Sequence, residues 1–367
     1  MRVVLAGGGT AGHVEPALAT ADALRRADAR VEIAALGTER GLEQRLVPER
    51  GYDLLLIPAV PLPRRPSAEL ASVPMRLRRA IDATETVLRD RLADVVVGFG
   101  GYVALPAYLA ARRLRIPIVV HEANARPGLA NRIGARLTRH VAVASPQIDL
   151  PHARHVGIPL RRAVATLDRA ARRPMARSSF GLRPDLPTVL AFGGSQGAQR
   201  INQAMVEAAG ALGKEGVQVL HAFGPGNDEP ESANGTGVPY VAVPYLDRIE
   251  LAYAAADLAV CRAGAITCAE LAAVGLPGVF VPLPHGNGEQ RLNAEPLVRA
   301  GAGLLVDDAD FTGAWISQHV PGLVTDPTRL AAMSTAAATL GRRDADELLA
   351  QMIRRAAAGS GVRGGSW

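Results

Sequence analysis

Two glycine-rich stretches occupy matching places in this chain, GGGTAGH at residues 7–13 and GGSQGA at residues 193–198. Each comes after a short apolar run and before apolar residues at helical spacing, such as Val14, Ala17 and Leu18. Glycine tolerates positive φ and lets backbone N–H groups approach a ligand, while the N-terminus of the following helix favours negative charge. The pattern predicts two nucleotide-binding folds, and two such turns facing one cleft indicate two phosphorylated substrates.

Short apolar runs alternate with helix-spaced segments along most of the chain. The first series lies at residues 3–6, 31–35, 54–57, 95–97, 118–120 and 141–144, and the second at 189–192, 217–220, 240–243, 258–260, 278–281 and 303–306. Such alternation is typical of parallel sheets covered by helices. We therefore predict an α/β protein with two Rossmann-like, doubly wound parallel-sheet domains facing a cleft.

The predicted domains cover residues 1–160 and 161–344. Residues 159–187 are rich in Arg, Pro and Ser and have weak apolar periodicity, which predicts a linker there. A last helical pattern at residues 345–360 contains Leu348, Leu349, Met352 and Ile353. We expect this helix to pack back on the first domain.

The composition narrows the range of partners. The net charge of +6 rests on arginine, since Lys214 is the only lysine, and a basic chain favours anionic partners. Aromatic residues are only 4% of the chain and are not interleaved with the arginines, which argues against nucleic acid. Cys261 and Cys268 are too few for a disulfide framework or a zinc site and indicate a reducing compartment, by default the cytoplasm. No signal peptide or membrane-spanning helix is predicted.

The first turn permits two interpretations. Gly7, Gly9 and Gly12 satisfy G-x-G-x-x-G, and Glu32 follows at about the spacing of the ribose-binding acid of a dinucleotide fold. However, Glu32 lies inside its strand pattern, and His13 stands where a cofactor pyrophosphate would lie, so the dinucleotide interpretation is disfavoured. His13 is instead a candidate general base at the mouth of the cleft, with support of the helix N-terminus as its alternative role.

The second turn also suits two chemistries. Residues 193–197 match G-x-S-x-G, the nucleophile elbow of hydrolases, with Ser195 as nucleophile and Asp257 and His285 following in triad order. A phosphate cradle requires no further partner residues, and we prefer it for this turn.

A third helix start follows the apolar run at residues 258–260. Small residues between Arg262 and Cys268 would bring backbone N–H groups to a helix N-terminus, which predicts a diphosphate site. Glu270, one turn inside this helix, could accept both hydroxyls of a ribose. The alternative is structural, because Thr267 and Glu270 have the S/T-x-x-E spacing of a capping box.

Polar loops after other predicted strands suit a sugar. Residues 98–102 and 121–124 end neighbouring strands and are expected to open on one cleft as acceptor-side loops. Gln290 and Asn293, in a polar segment after a buried strand, share a helical face that suits sugar hydroxyls. Asp308 and Asp310 have the D-x-D spacing of metal-dependent sugar transferases, but we prefer helix capping for them and predict no metal.

Residues 60–80 combine arginines with apolar side chains. One acid, Glu69, stands among Arg64, Arg65, Arg76, Arg78 and Arg79, with Leu62, Leu70, Val73, Met75 and Leu77 between them. Apolar anchors beside basic residues suit an anionic membrane surface, where each basic residue contributes about 1 kcal/mol. A solvated helix face is the alternative.

Together these motifs resemble the MurG family of lipid II-forming N-acetylglucosaminyltransferases. The resemblance rests on GGTAGHV at 8–14, GGY at 100–102, HEAN at 121–124, GGSQGA at 193–198 and CRAGAIT at 261–267, and it extends to about Gly303. It implies a GT-B glycosyltransferase, peripheral on the cytoplasmic side of the cell membrane, that moves N-acetylglucosamine from UDP-GlcNAc to the 4-hydroxyl of muramic acid in lipid I. The product would be lipid II for peptidoglycan synthesis, and hence for cell shape and cell division.

The resemblance also implies site residues. The donor would contact Thr10, Ala11, Gly12, Asn124, Arg161, Ser195, Leu246, Ala265, Ile266, Thr267, Cys268, Ala269, Glu270 and Gln290. Tyr102 and Glu122 would lie on the acceptor side. Ala123 and Glu289 stand where family members often carry glutamine, and Glu289 is kept among the binding residues.

The predicted mechanism is an inverting single displacement without metal or cofactor. The acceptor hydroxyl attacks the anomeric carbon while a base removes its proton, with His13 as first candidate and Glu122 as second. Arg161, the helix N-terminus at Ala265 and the glycine turns would balance the charge on the leaving UDP. A protein that binds UDP-sugars without transferring them is the remaining alternative.

Overall fold

The computed structural model describes residues 1–60, 72–194, 196–230, 235–285 and 287–359. The chain divides into two compact units. The first contains Met1–Arg161 together with the segment that begins at Asp344, and the second is Arg162–Arg343. Each unit has its own parallel sheet.

Within the described residues, the first unit has a seven-stranded sheet. Its strands are β1 (Arg2–Gly7), β2 (Glu32–Gly37), β3 (Asp53–Leu56), β4 (Val95–Gly100), β5 (Ile118–Glu122), β6 (His140–Val143) and β7 (Ala153–His155). The spatial order is β3-β2-β1-β4-β5-β6-β7, which reverses direction between β1 and β4 and opens a crevice at the carboxyl ends of these strands. The sequence analysis missed β7, because its three residues are exposed and have no apolar pattern.

Helices cover both faces of this sheet. They are α1 (Ala11–Ala27), α2 (Glu43–Glu49), α3 (Val73–Asp90), α4 (Ala104–Leu114), α5 (Leu129–Gly134) and, from the end of the chain, α14 (Ala345–Ala358). Val3 and Leu5 pack in one core with Leu349 and Ile353 of α14, and Val4 packs in the opposite core with residues of α4. This alternation is the period of two that a strand imposes on its side chains.

The second unit repeats the design. Its strands are β8 (Thr188–Phe192), β9 (Gln218–Ala222), β10 (Tyr240–Val243), β11 (Leu258–Cys261), β12 (Gly278–Phe280) and β13 (Gly303–Leu305), in the order β10-β9-β8-β11-β12-β13. Its helices are α6 (Arg162–Ala165), α7 (Arg169–Ser179), α8 (Gln199–Lys214), α9 (Ile249–Ala255), α10 (Ala265–Val274), α11 (Glu289–Arg299), α12 (Gly313–Val324) and α13 (Pro327–Leu340). The order reverses between β8 and β11, so this unit also has a crevice at its carboxyl edge. No helix of the described residues is long and apolar enough to cross a membrane.

The linker predicted at residues 159–187 is correct only at its start, because the boundary between the units falls between Arg161 and Arg162. Most of the remaining segment forms α6 and α7, and α7 packs on its unit largely through arginine side chains. Arg177 is 4% exposed and its Nη2 donates to Asp257 Oδ2 at 2.8 Å, while Arg169 donates to the carbonyl oxygens of Gly275 at 2.6 Å and Ala256 at 2.7 Å. Apolar periodicity does not detect a helix whose packed face is formed by Ala176 and by arginine side chains with their aliphatic stems.

Candidate active site

The first glycine turn holds His13 in the first turn of α1. Gly9 has a φ of +90° and leads into the helix. His13 Nδ1 lies 3.3 Å from the Gly8 carbonyl oxygen and 3.2 Å from Thr10 Oγ1. Because a carbonyl oxygen only accepts hydrogen bonds, the proton of the neutral ring belongs on Nδ1, and Nε2 then carries the lone pair.

Two glycines at the end of β4 bring a second loop against this turn. Gly100 and Gly101 have φ values of +102° and +80°. A Cβ at Gly100 would lie 2.9 Å from His13 Nε2, and one at Gly101 would overlap the Gly8 carbonyl oxygen. The loop that carries Tyr102, which is 50% exposed, therefore approaches His13 only because both residues are glycine.

Glu122 ends β5 as a buried carboxylate whose two oxygens accept hydrogen bonds from the following loop. Oε1 accepts from the Asn124 N–H at 2.9 Å, and Oε2 accepts from the Gly128 N–H and from Asn131 Nδ2 at 3.0 Å each. Asn131 in turn accepts from the Tyr108 hydroxyl at 2.7 Å. These contacts order the loop, whereas a general base needs an oxygen directed at the substrate.

Arg161 is the last residue of the first unit and lies beside an acid of α1. Its Nε is 3.9 Å from Glu15 Oε2, which also pairs with Arg50 Nη2 at 3.2 Å. The Arg161 side chain is 27% exposed, so an anionic ligand can reach the guanidinium.

The second glycine turn is held through its carbonyl groups. Asn227 Nδ2 donates to the carbonyl oxygens of Gln196 and Phe223 at 3.0 Å each. Gly197 has a φ of +75°, and a Cβ there would overlap the Phe223 carbonyl oxygen. Ser195 lies outside the described residues, so its predicted donor contact stays a prediction.

A buried polar chain lies behind this turn. His221 on β9 accepts at Nδ1 from the Tyr240 hydroxyl (2.9 Å), and its Nε2 donates to Asn202 Oδ1 (3.0 Å). Asn202 Nδ2 donates to the Phe223 carbonyl oxygen at 2.8 Å, which fixes the orientation of that amide. Burial lowers the pKa of His221 to about 4, so the ring stays neutral near pH 7 and keeps this proton pattern.

The capping box predicted for Thr267 and Glu270 is wrong. α10 starts earlier, with Gly264 at its N-cap and no side-chain cap, so both residues lie inside the helix. Glu270 is 5% exposed, and its Oε2 accepts from the Tyr253 hydroxyl at 2.7 Å. The first six residues of α10 are all predicted donor contacts: Ala265, Ile266, Thr267, Cys268, Ala269 and Glu270.

The polar residues of α11 join two loops at the carboxyl edge of the second sheet. Glu289 opens the helix, and Gln290 Oε1 accepts from the Leu283 N–H in the loop after β12 at 2.9 Å. Asn293 Nδ2 donates over 3.4 Å to a carbonyl oxygen in the loop after β11. Leu246, half-buried, follows β10 at the same edge.

Asp308 and Asp310 do not cap a helix as predicted. α12 has Thr312 as its N-cap, and Asp308 instead lies with its Oδ1 2.5 Å from Arg262 Nη1 and its Oδ2 3.8 Å from Arg200 Nε. Over the described ranges, no group of three His, Cys, Asp or Glu side chains could hold a metal ion.

Two alternative interpretations fail because their acids lie at the wrong edge of the sheet. Glu32 opens β2, and Asp257 precedes β11, so both lie at amino edges, whereas the glycine turns follow the carboxyl ends of β1 and β8. Asp257 is also paired with Arg173 at 2.5 Å and Arg177 at 2.8 Å. The dinucleotide site that needs Glu32 and the hydrolase triad that needs Asp257 are therefore both wrong.

The basic and apolar stretch at residues 60–80 is described only in part. Residues 61–71, and with them Arg64, Arg65 and the acid Glu69, lie outside the described residues. α3 carries the rest, with Met75 60% exposed and Arg78 in a long ion pair of 3.9 Å with Asp82. Its contact with a membrane stays a prediction.

Glu43 holds the first glycine turn, a contact that the sequence analysis missed. It opens α2, is fully buried, and accepts at Oε2 from the Gly9 N–H at 2.8 Å. The sequence shows it only indirectly, through Gly8, Gly37 and Gly41, where a side chain would crowd Glu43. Asn227 was also missed, because no pattern marks a loop amide that binds carbonyl groups elsewhere.

The predicted residues thus form one set in each unit. At the carboxyl edge of the first sheet lie Thr10, Ala11, Gly12, His13, Tyr102, Glu122 and Asn124. At the carboxyl edge of the second lie Leu246, Ala265–Glu270, Glu289 and Gln290. Parallel strands place the loops of both sets where α/β proteins bind ligands.

Known proteins match this chain over most of its length. Residues 3–143 match the glycosyltransferase family 28 N-terminal domain, and residues 188–349 match the glycosyltransferase family 28 C-terminal domain. A protein of Streptomyces coelicolor is 64% identical over 98% of this chain and 99% of its own length, and one of Mycolicibacterium smegmatis is 60% identical over 97% and 94%. Both are named UDP-N-acetylglucosamine--N-acetylmuramyl-(pentapeptide) pyrophosphoryl-undecaprenol N-acetylglucosamine transferase.

Solved structures agree with these matches. The crystal structure of Acinetobacter baumannii MurG superposes with a TM-score of 0.75 at 27% identity, covering 96% of this chain and 99% of that one. The calicheamicin glycosyltransferase CalG4 shares the fold at a TM-score of 0.64 and 18% identity, covering 98% of this chain and 97% of that one. The predicted GT-B fold is confirmed. The chain is a glycosyltransferase that belongs to the MurG family, within glycosyltransferase family 28.

Proposed function

We propose that the protein transfers N-acetylglucosamine from UDP-GlcNAc to the 4-hydroxyl of muramic acid in lipid I, undecaprenyl-pyrophosphoryl-MurNAc-pentapeptide. The product is lipid II for peptidoglycan synthesis. Relatives aligned over nearly the whole chain are named for this donor and this acceptor. The structural observation that carries the proposal is His13, whose Nδ1 contact with the Gly8 carbonyl leaves Nε2 as the basic atom at the end of β1.

We assign most of the donor contacts to the second unit, while Thr10, Ala11, Gly12, Asn124 and Arg161 of the first unit keep the donor contacts that the resemblance implies. Ala265, Ile266 and Thr267 present backbone N–H groups at the uncapped N-terminus of α10, which suits a diphosphate. Behind them, the Glu270 carboxylate offers acceptors for the two ribose hydroxyls, oriented by the Tyr253 hydroxyl at 2.7 Å. Gln290 and Glu289 would then bind the sugar at the start of α11.

We assign the acceptor to the first unit, with His13 as the base. The muramic acid hydroxyl attacks the anomeric carbon, the bond from that carbon to the UDP oxygen breaks, and His13 Nε2 takes the hydroxyl proton. Attack opposite the leaving group inverts the anomeric centre. Glu122, whose two oxygens are held by loop donors, orders the acceptor-side loop.

The charge on departing UDP requires compensation. Arg161 and the N-terminus of α10 would supply it, which makes a divalent cation unnecessary for this step. Asp308 of the D-x-D pair supports this proposal. Its carboxylate pairs with Arg262 at 2.5 Å and is therefore engaged by a guanidinium group in the position where a metal ligand would be needed.

We further propose that the protein works as a peripheral protein on the cytoplasmic side of the cell membrane, where its undecaprenyl-linked acceptor resides. The exposed Met75 and the basic side chains of Arg76, Arg78 and Arg79 on α3 would meet anionic headgroups.

The test is transfer of radiolabelled N-acetylglucosamine from UDP-GlcNAc to a lipid I analogue, with and without EDTA. We expect label on the lipid at the same rate in both, and an anomeric proton coupling in the product that shows inversion. Asp310→Asn is the matched control, because it removes an exposed carboxylate of the D-x-D pair and is expected to keep the wild-type rate. Loss of transfer in EDTA would overturn metal independence, and UDP binding without transfer would indicate a sensor.

A further inference from the structure

Glu43 joins the first glycine turn to the end of β2. Its Oε2 accepts from the Gly9 N–H at 2.8 Å, and its Oε1 accepts from the Thr38 N–H at 3.1 Å and lies 3.2 Å from the Thr38 hydroxyl. The residue is fully buried, and in the described part of the chain no arginine, lysine or histidine pairs with it. Hydrogen bonds from two loops alone therefore hold this carboxylate.

The surroundings of Glu43 are made of glycine. A Cβ at Gly8 would lie 3.0 Å from Glu43 Oε1, and one at Gly37 would lie 2.6 Å from its Cγ. A Cβ at Gly41 would overlap the carboxylate itself. Three residues without side chains thus leave room for one buried acid, which is a costly arrangement unless the acid has a task.

The peptide group between Gly8 and Gly9 links Glu43 to His13. The N–H of Gly9 and the carbonyl of Gly8 belong to the same planar unit. Glu43 accepts from its N–H at 2.8 Å, and His13 Nδ1 contacts its carbonyl oxygen at 3.3 Å. A carboxylate on the N–H side polarises the peptide and strengthens its carbonyl as an acceptor.

We propose that Glu43 is a positioning residue for glycosyl transfer: by holding the peptide group between Gly8 and Gly9, it fixes the carbonyl that orients His13 and keeps Nε2 as the basic atom. The relay resembles a carboxylate–histidine pair with a peptide group inserted between the two. This inference rests on the proposed function, because it takes His13 as the base.

The test is Glu43→Gln. Glutamine has one side-chain oxygen, so its NH2 group must face either the Gly9 N–H or the Thr38 N–H, and one of the two hydrogen bonds is lost. We expect kcat for lipid II formation to fall about 10–100-fold. The KM for UDP-GlcNAc should change much less than kcat, since most of the predicted donor contacts lie in the other unit. Glu49→Gln is the matched control on the same helix, where the side chain is 53% exposed, and it should keep the wild-type kcat.

A second readout does not depend on activity. We expect hydrogen exchange of the Gly9 amide to be at least tenfold faster in Glu43→Gln, and the ¹⁵N spectrum of His13 to show a mixture of tautomers in place of one. Wild-type exchange and tautomer together with wild-type kcat would overturn the inference. If the wild-type protein transfers no sugar, the proposed function fails, but exchange and tautomer still decide whether Glu43 positions His13.

Thr38→Val is the alternative test variant if the Glu43→Gln protein does not fold. It removes one contact to Oε1 and keeps the Gly9 bond, so we expect a smaller loss of kcat in the same direction and a smaller increase in Gly9 exchange. A folded Thr38→Val protein with unchanged kcat and unchanged exchange would count against the proposal.

Discussion

The two glycine turns follow equivalent strands but are held in opposite ways. In the first unit, a buried carboxylate accepts from the turn, with Glu43 Oε2 2.8 Å from the Gly9 nitrogen. In the second, an amide donates to the turn, with Asn227 Nδ2 3.0 Å from the Gln196 carbonyl oxygen. The first turn is therefore held through an N–H group by a negative group, and the second through a carbonyl by a neutral one.

This difference teaches what each turn can bind. A phosphate needs backbone N–H donors and no nearby anion, and in the first turn the Glu43 carboxylate already occupies the Gly9 N–H. The first turn instead presents a histidine whose tautomer is set by the backbone. Under the proposed function, the first turn serves proton removal, and the second turn belongs to the unit to which we assign the diphosphate.

The largest expected effect comes from removing the base. His13→Ala should lower kcat for lipid II formation by about 10²–10⁴-fold, because proton removal from the acceptor hydroxyl is lost. The KM for UDP-GlcNAc should change less than kcat, because most of the predicted donor contacts lie in the second unit. Steady-state kinetics of the labelled transfer measure both quantities, with His319→Ala, an exposed histidine of the second unit, as control. If His13→Ala keeps near-normal turnover while Glu122→Ala abolishes it, the roles of the two residues are reversed.

Acid should weaken both units, because each contains one buried neutral histidine. Burial lowers the pKa of His121 and of His221 to about 4, below the ordinary value of about 6.5. The unfolded chain therefore binds more protons than the folded chain between these values. The free energy of unfolding should fall as pH drops from 6.5 to 4, by up to about 3 kcal/mol per histidine, and should not depend on these groups above pH 6.5.

Denaturant unfolding at a series of pH values checks this dependence. His221→Gln should remove the part of the slope that belongs to the second unit and leave the part that belongs to His121. A free energy of unfolding that stays constant from pH 7 to pH 5 would contradict the prediction.

The smallest expected effect comes from placing a carboxylate beside the second glycine turn, as Glu43 lies beside the first. Asn227→Asp replaces an amide donor with a carboxylate that faces the carbonyl oxygens of Gln196 and Phe223. Lost hydrogen bonds and a new negative charge should weaken UDP binding about tenfold. Calorimetric titration with UDP measures the change, and Asp228→Asn is the control at the neighbouring exposed position. Unchanged affinity would show that the anchoring of this turn does not matter for the nucleotide.

Local patterns predicted most of the framework. The strands at β1, β4 and β8 are apolar runs of the expected length, and Gly9 and Gly197 mark turns whose positive φ only glycine adopts easily. α14 was also predicted, since its apolar residues recur at helical spacing. These features depend on residues that are close together in the sequence, so local sequence patterns can predict them.

Local patterns failed where polar groups are buried. α7 was taken as a linker because Arg177 and its neighbours form the packed face, and Asp257 entered the disfavoured hydrolase alternative as a triad acid although it pairs with those arginines. Likewise, the S/T-x-x-E spacing of Thr267 and Glu270 is a helix-start pattern that α10 does not use, because the helix starts at Ala265. In each case the partner that decides the role is distant in the chain.

The sequence by itself determined the α/β class, the two parallel sheets, the glycine turns and the family, because all of these follow from periodicity and from short motifs. Only the tertiary structure decided what each turn offers a ligand. Glu43 meets Gly9 across 34 residues, and Asn227 meets Gln196 across 31. A turn's N–H and carbonyl groups are the same in any sequence, so its chemistry depends on which of them a distant side chain has already bound.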